Sequence, residues 1–204
     1  MKPVAILRRG CSMIVLCLLF SALVVRAGDT GEDVAAAARS QIGVTLFYDP
    51  GYCALSYPGG DVPIDRGVCT DVVIRAMRAA MSLDLQRMVH EDMLENFAVY
   101  PKKWGLSKPD RNIDHRRVPN LQTFFARQGW KLPVTDNALD YLPGDLVTCL
   151  LPGNLAHIMI VSDRKNRAGT PLVIHNIGSG AQEENRLFEF LITGHYRIAE
   201  PAEG

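Results

Sequence analysis

The stretch 146–177, which reads LVTCLLPGNLAHIMIVSDRKNRAGTPLVIHNI, decides the fold class. Its runs LVTCLL, HIMIVSD and PLVIHNI are rich in β-branched and aliphatic residues, and polar or Pro-Gly turns separate them. Short apolar runs between turns predict neighbouring antiparallel strands. A further run follows at Leu187–Ile198, so the C-terminal half is predicted to be an antiparallel meander.

Toward the N-terminus the pattern changes from strands to helices. Short helices are predicted over 32–41 and 121–128, and two longer ones begin near Cys69 and after Asp84, a suitable N-cap. A brief strand is predicted within Val44–Tyr52. Because helices come first and strands follow, the chain is predicted to be α+β, with N-terminal helices packed on a C-terminal antiparallel β-sheet.

The first 27 residues differ from the rest of the 204-residue chain. Three basic residues precede the apolar run Cys11–Val25, and the small residue Ala27 follows. This order is typical of a secretory signal peptide, and the run is shorter than the roughly 20 residues that span a bilayer. We therefore predict a signal peptide over 1–27 and one domain over 28–204, located outside the cytoplasm. An uncleaved N-terminal anchor is the alternative.

The net charge of the chain indicates whether nucleic acid is an expected partner. Formal net charge is zero, and the four basic residues of the predicted leader have no acidic partner there, so zero minus four leaves −4. A mildly acidic body gives no electrostatic reason to expect nucleic-acid binding. No later segment is apolar enough to span a membrane, so we expect no stable membrane insertion, and we expect a monomer.

Three cysteines remain once Cys11 and Cys17 leave with the leader, namely Cys53, Cys69 and Cys149. Three thiols cannot all pair within one chain, so at least one stays free. A bridge between Cys53 and Cys149 is one alternative, although neither position has the spacing of a disulfide framework.

The segment 65–80, DRGVCTDVVIRAMRAA, places Cys69 at the start of a predicted helix. Free N–H groups and the positive end of the helix dipole stabilise a thiolate there and lower its pKa. Taken alone, the position also fits a small buried core residue, because free cysteine is often buried. Asp65 or Asp71 is interpreted as a helix cap or as an ion-pair partner of Arg66 or Arg75.

A thiolate nucleophile needs a general base, and the base needs a polar partner for its second ring nitrogen. His157 and His175 lie on consecutive predicted strands, so a hairpin brings them onto one sheet. Adjacent strand residues point to opposite faces, so either His175 or Asn176 faces His157, but not both. The sequence leaves the register open, and each histidine alone also fits a structural role.

The order of Cys69, PGDLV, HIMIVSD and VIHN resembles NlpC-type cell-wall peptidases, a branch of the papain-like cysteine hydrolases. Longer segments, among them YPGGDVPIDRGVCTDVVIRA and PDRNIDHRRVPNLQTFF, are similar to the YijF-like family of bacterial periplasmic proteins, a domain of unknown function. Together the resemblances imply a papain-like α+β fold, a periplasmic location and a cysteine peptidase or amidase.

Residue by residue, the resemblance implies that Cys69 is the nucleophile, that His157 is general base and then acid, and that His175 orients it. Tyr57 is implied to help form the oxyanion site, with loop packing as the alternative. Asn176 and Asp71 are further candidates for oxyanion or substrate contacts. The implied substrate is an amide bond in the peptide part of peptidoglycan, and neither a cofactor nor a metal is expected.

Several alternatives stay open at this stage. The sequence around the nucleophile, Val68-Cys69-Thr70-Asp71, departs from the usual Asp-Cys-Ser or Asn-Cys-Ser, which leaves the scissile bond open. The same cysteine and histidines also suit a zinc-dependent hydrolase, and a non-catalytic cell-wall-binding module is a third reading. The polar segment Asp114–Arg117 is interpreted as a solvated loop tied down by salt bridges or as a grip for substrate carboxylates.

Overall fold

Four α-helices precede the main sheet in the computed structural model, which describes residues 27–198. They are α1 (Ala27–Arg39), α2 (Cys69–Met81), α3 (Leu85–Asn96) and α4 (Val118–Arg127). The signal peptide predicted over 1–27 lies outside the described residues, apart from Ala27. Within residues 27–198, no helix has both the length and the apolar character needed to cross a membrane.

Eight strands form two sheets within the described residues. Two short strands pair in parallel, and the other six form one sheet, every neighbouring pair of which is antiparallel, in the order β3-β8-β4-β5-β6-β7. The predicted α+β class is therefore confirmed. The strands are β1 (Phe47–Tyr48), β2 (Arg66–Gly67), β3 (Lys131–Leu132), β4 (Leu146–Leu151), β5 (Leu155–Lys165), β6 (Pro171–Asn176), β7 (Ala181–Glu184) and β8 (Leu191–Tyr196).

The sheet differs from a simple meander at its C-terminal end. The sequence AQEE of β7 is polar, so apolar periodicity did not predict this strand, which pairs with β6. The next strand, β8, returns across the sheet to pair with β4 and β3. The predicted run Leu187–Ile198 therefore contributes a strand only over Leu191–Tyr196.

The sheet separates two apolar clusters, because side chains alternate between its faces. On one face, α1 and α2 pack against Leu146, Ile158, Ile160 and Ile174. On the other face, a smaller cluster includes Met159 and Val173. Apolar residues occur nearly all round α2, and every residue from Cys69 to Met77 is buried.

The Pro-Gly-Asp turn before β4 joins α1 to the end of the sheet. Gly144 has φ +82, and a Cβ added there would lie 2.6 Å from the Cα of Gly31, so only glycine fits this approach. The buried carboxylate of Asp145 accepts hydrogen bonds from His195 at 2.7 Å and from Arg197 at 2.7 Å. The turn therefore has a structural role, because Asp145 fixes the start of β4 against the end of β8.

Candidate active site

Cys69 is the first residue of α2 and is only 4% exposed. Asp71 caps this helix end, because its Oδ2 accepts a 2.6 Å hydrogen bond from the N–H of Val68. The sulfur of Cys69 also approaches the sheet, where the backbone N–H of Ile158 on β5 favours the anionic form of the thiol. The cap predicted for Asp71 is thus present, and it fixes the segment that carries the thiol.

Burial controls the protonation of this thiol. Desolvation raises the pKa of Cys69 to about 12, although the N–H groups of Ile158 and Thr70 act in the opposite direction. The expectation that the helix terminus lowers the pKa is therefore wrong for this structure. The cost of an anion in a dry site exceeds the stabilisation from the helix end.

His157 and His175 form a buried pair on the sheet. Nε2 of His157 lies 2.8 Å from Nδ1 of His175, and the two rings meet edge to face. Burial and the neighbouring His175 lower the pKa of His157 to about 3. Both histidines are therefore neutral at physiological pH unless a proton arrives during a reaction.

The strand register determines which face of the sheet the imidazole takes relative to the thiol. Ile158 faces α2 with the larger core, whereas His157, which pairs with Cys149 on β4, leaves β5 on the opposite face. Sγ of Cys69 reaches the N–H of Ile158, which belongs to the peptide unit directly after His157. No hydrogen bond between Sγ and the His157 ring is present within residues 27–198, and the His157 ring does not line the cleft above the thiol.

Glu184 extends the histidine pair outward. Its Oε2 lies 3.1 Å from Nε2 of His175, and its Oε1 lies 3.1 Å from Nε of Arg186. Burial lowers the pKa of His175, whereas the charge of Glu184 raises it. Sequence reasoning missed Glu184 because the polar strand β7 gave no apolar signal.

Asn176 takes a different position from its neighbour. Its amide Nδ2 donates to the carbonyl of Gly67 at 2.9 Å and to that of Phe47 at 3.3 Å, and its Oδ1 accepts from Gly178. The register thus places His175, and not Asn176, beside His157. The candidate role of Asn176 in substrate contact is replaced by one in holding the chain just before Cys69.

Asp71 binds an arginine that the sequence did not single out for it. The carboxylate receives two hydrogen bonds from Arg116, each 2.9 Å long, and both side chains are almost inaccessible. Of the predicted ion pairs, the one between Asp65 and Arg66 is present, whereas Arg75 pairs with Asp61 and neither arginine pairs with Asp71. A carboxylate with these partners has a structural role, not one in substrate contact.

The segment Asp114–Arg117 is not a solvated loop. A turn of 3-10 helix buries Asp114 and His115 together with Arg116, which also donates to the carbonyls of Asp49 and Gly51. The sequence suggested a solvated loop because its residues are polar. Pairing inside the fold allows these charges to be buried.

Tyr48, and not the Tyr57 that the family resemblance implied, lies at the cleft above Cys69. Tyr57 packs edge to face on His90, with ring centroids 5.3 Å apart, and is not among the residues that line the cleft above Cys69. Tyr48 on β1 does line that cleft. Burial, with the nearby Cys69 and Asp71, raises the pKa of Tyr48 to about 12. Its hydroxyl thus remains a proton donor next to the thiol.

The cleft above the thiol has a volume of about 450 Å³. Its walls combine aliphatic residues and prolines with aromatic and cationic side chains, among them Tyr52, Lys103, Trp104 and Arg117. The Arg117 guanidinium stacks 4.1 Å from the centre of the Trp104 ring, and its Nη1 lies 3.5 Å from Asp114. A cleft of this kind suits an elongated substrate that carries negative charge.

All three cysteines of the described chain are free, so the alternative bridge between Cys53 and Cys149 is absent. Cys149 is fully buried in the smaller core cluster. Across residues 27–198, no three His, Cys, Asp or Glu side chains are arranged to hold a metal ion.

Comparison with known proteins gives three similarities. The family described as Domain of unknown function (DUF1287) matches residues 35–198. An uncharacterized protein, YijF of Escherichia coli (strain K12), is 60% identical over 169 residues, which cover 83% of this chain and 82% of that protein. The structure of NlpC1 from Trichomonas vaginalis has a TM-score of 0.43 and 15% identity over 85% of this chain. The match covers 45% of NlpC1, so this chain spans less than half of that protein.

Proposed function

This chain belongs to the DUF1287 family of domains of unknown function, and we propose a function for it. The protein is a periplasmic cysteine hydrolase that cleaves an amide bond in peptidoglycan stem peptides. The observation that carries the proposal is the buried histidine pair, joined at 2.8 Å, beside the strand peptide that the Cys69 sulfur contacts. The leader-like order of residues 1–27 supports the location.

The chemistry begins from neutral groups. Because burial raises the pKa of Cys69 to about 12 and lowers that of His157 to about 3, a resting thiolate–imidazolium pair is disfavoured. The S–H proton instead passes to the His157 nitrogen that does not bind His175, as the sulfur forms a bond to the substrate carbonyl carbon. Collapse of the tetrahedral intermediate breaks the C–N bond, and His157 gives its proton to the leaving amine.

The second half of the cycle releases the acyl group. A water molecule attacks the thioester, His157 takes its proton, and the carboxylic acid leaves as the S–H bond re-forms. The oxyanion of each tetrahedral intermediate needs donors, and we assign the Cys69 N–H at the helix start and the Tyr48 hydroxyl. The position of Tyr48 in the cleft supports this assignment.

The charge of the cleft supports a peptide with free carboxylates as the substrate. Lys103 and Arg117 line it, and the stacked Arg117 presents a planar guanidinium that matches a carboxylate. Stem peptides of cell walls carry such carboxylates beside their amide bonds, which is why we favour them over neutral peptides.

The zinc-dependent alternative finds no support in the side-chain geometry. Nε2 of His157 and Nδ1 of His175 lie 2.8 Å apart as a hydrogen-bonded pair, and within residues 27–198 no three His, Cys, Asp or Glu side chains are arranged to hold a metal ion. A non-catalytic binding module is favoured by one observation, the buried and protonated Cys69. The experiment below separates these readings.

The test uses the protein expressed with its own leader and incubated with disaccharide peptides released from bacterial cell walls. Mass spectrometry is expected to find product pairs whose masses add up to the substrate plus one water. Cys69→Ala is expected to give no products, and Cys53→Ala, which removes another free thiol, is expected to retain them.

Two outcomes would contradict the proposal. Identical, uncleaved profiles for wild type and Cys69→Ala, together with binding of the fragments by both, would establish a binding module. Activity that disappears with a chelator and returns with zinc would establish the metal-dependent alternative.

A further inference from the structure

We infer that Glu184 is a positioning residue, which acts through His175 to set the tautomer of His157. The inference rests on the proposed function, because it concerns the base of that reaction. It adds a fourth side chain to the three that the sequence suggests.

The sheet places Glu184 where it can act on the pair. On β7, Gln182 is opposite His175 and Glu184 is opposite Val173. Glu184 is thus the diagonal neighbour of His175 on the same face of the sheet, within reach of a long side chain. Its Oε2 lies 3.1 Å from His175 Nε2, while Arg186 holds the other carboxylate oxygen at 3.1 Å.

The carboxylate of Glu184 determines which nitrogen of each histidine donates and which accepts. The 3.1 Å contact is too bent for a hydrogen bond as it stands, and Nε2 of His175 has no other partner within residues 27–198. A carboxylate only accepts, so the contact closes when neutral His175 carries its proton on Nε2 and presents an unprotonated Nδ1. Nδ1 of His175 lies 2.8 Å from Nε2 of His157, which must therefore be the donor. The proton of neutral His157 is thus on Nε2, and its Nδ1 lone pair is free to take the thiol proton.

Without Glu184, the carboxylate no longer determines which ring nitrogen of His175 carries the proton. His175 can then carry its proton on Nδ1 and donate to His157 Nε2, which moves the His157 proton to Nδ1 and blocks the base. The carboxylate also opposes burial at His175, so its charge favours the positive charge that forms on the histidine pair during the reaction.

The chain offers matched variants for the test. Glu184→Gln keeps the shape of the side chain but removes the charge, and its amide can present either an acceptor or a donor to His175. Glu189→Gln is the control, because Glu189 binds the same Arg186, at 3.0 Å, and makes no hydrogen bond or ion pair with His175.

The direct measurement is the ¹⁵N NMR spectrum of the histidine side chains in the full protein, which distinguishes the two tautomers. In the wild type and in Glu189→Gln, both His157 and His175 are expected as Nε2–H tautomers. In Glu184→Gln, the Nδ1–H form is expected to appear. On cell-wall peptides, kcat is expected to fall roughly ten- to a hundredfold, as for other groups that orient a functional histidine, with KM little changed.

The outcomes separate this inference from the proposed function. An Nδ1–H tautomer for His157 in the wild type, or unchanged tautomers and kcat in Glu184→Gln, would overturn the inference. If the predicted tautomers are found but no peptide is cleaved, the inference about Glu184 stands and the enzymatic proposal fails.

Discussion

The buried ion pair between Asp71 and Arg116 provides a quantitative test of how the nucleophile segment is held. Both side chains are 3% exposed or less, and two hydrogen bonds of 2.9 Å join them. Asp71 also caps α2 through Val68. The perturbation is Asp71→Ala, which removes the cap and leaves the Arg116 charge buried without its partner.

The magnitude follows from these two losses. Breaking one side of a buried pair costs about 3–5 kcal/mol, and loss of an N-cap costs about 1 kcal/mol more. Arg116→Met, which keeps most of the aliphatic volume, is expected to cost a similar amount by leaving Asp71 uncompensated. The double variant is expected to cost less than the sum, by up to about 3 kcal/mol, because neither charge is then buried alone.

The assay is urea unfolding of each variant, followed by tryptophan fluorescence, with the m-value checked for two-state behaviour. Asp65→Ala removes a partner of Arg66 in an ion pair whose two side chains are more than 40% exposed, and it is expected to leave the midpoint unchanged. A loss below about 1 kcal/mol for Asp71→Ala, or strictly additive single variants, would refute the reasoning.

Four further outcomes are expected. Tyr48→Phe should lower kcat on cell-wall peptides by roughly 100-fold or more, whereas Tyr57→Phe should leave it unchanged; equal losses would remove Tyr48 from the oxyanion site. Burial lowers the pKa of His115 from 6.5 to about 4, so between these two pH values the unfolded chain binds more protons than the folded one. The free energy of unfolding should therefore decrease as pH falls from 6.5 to about 4, and its pH dependence should be flatter in His115→Gln. Arg117→Ala should raise KM for a peptide with free carboxylates more than for its amidated counterpart; equal changes would argue against a carboxylate contact. Alkylation of Cys69 by iodoacetamide should keep accelerating above pH 9, because burial raises its pKa to about 12, and a plateau near neutral pH would contradict this.

The arrangement of Tyr48 and Glu184 shows where sequence reasoning stops. Tyr48 belongs to a strand of two residues, whose parallel pairing with β2 brings it to the cleft. Glu184 reaches His175 only because β7 pairs with β6 in one particular register. Neither contact can be predicted from the local sequence, because each depends on which segments pair and in which register.

The chain by itself determined the class of fold and supplied the candidate site residues. Apolar periodicity separated helices from strands and gave β4 its bounds, and the start of α2 at Cys69 followed from the apolar pattern after it. The polar character of His157 and His175 within apolar strands marked them as candidates before any contact was known.

The tertiary structure alone decided protonation, partners and orientation. Burial, which depends on every layer packed around a group, reversed the expected direction of the Cys69 pKa shift. Strand register placed His175 beside His157 and turned Asn176 toward Gly67, because a shift of one residue exchanges the two faces of a strand. Local sequence thus specifies elements and chemical groups, whereas long-range packing specifies which of those groups meet and in what charge state.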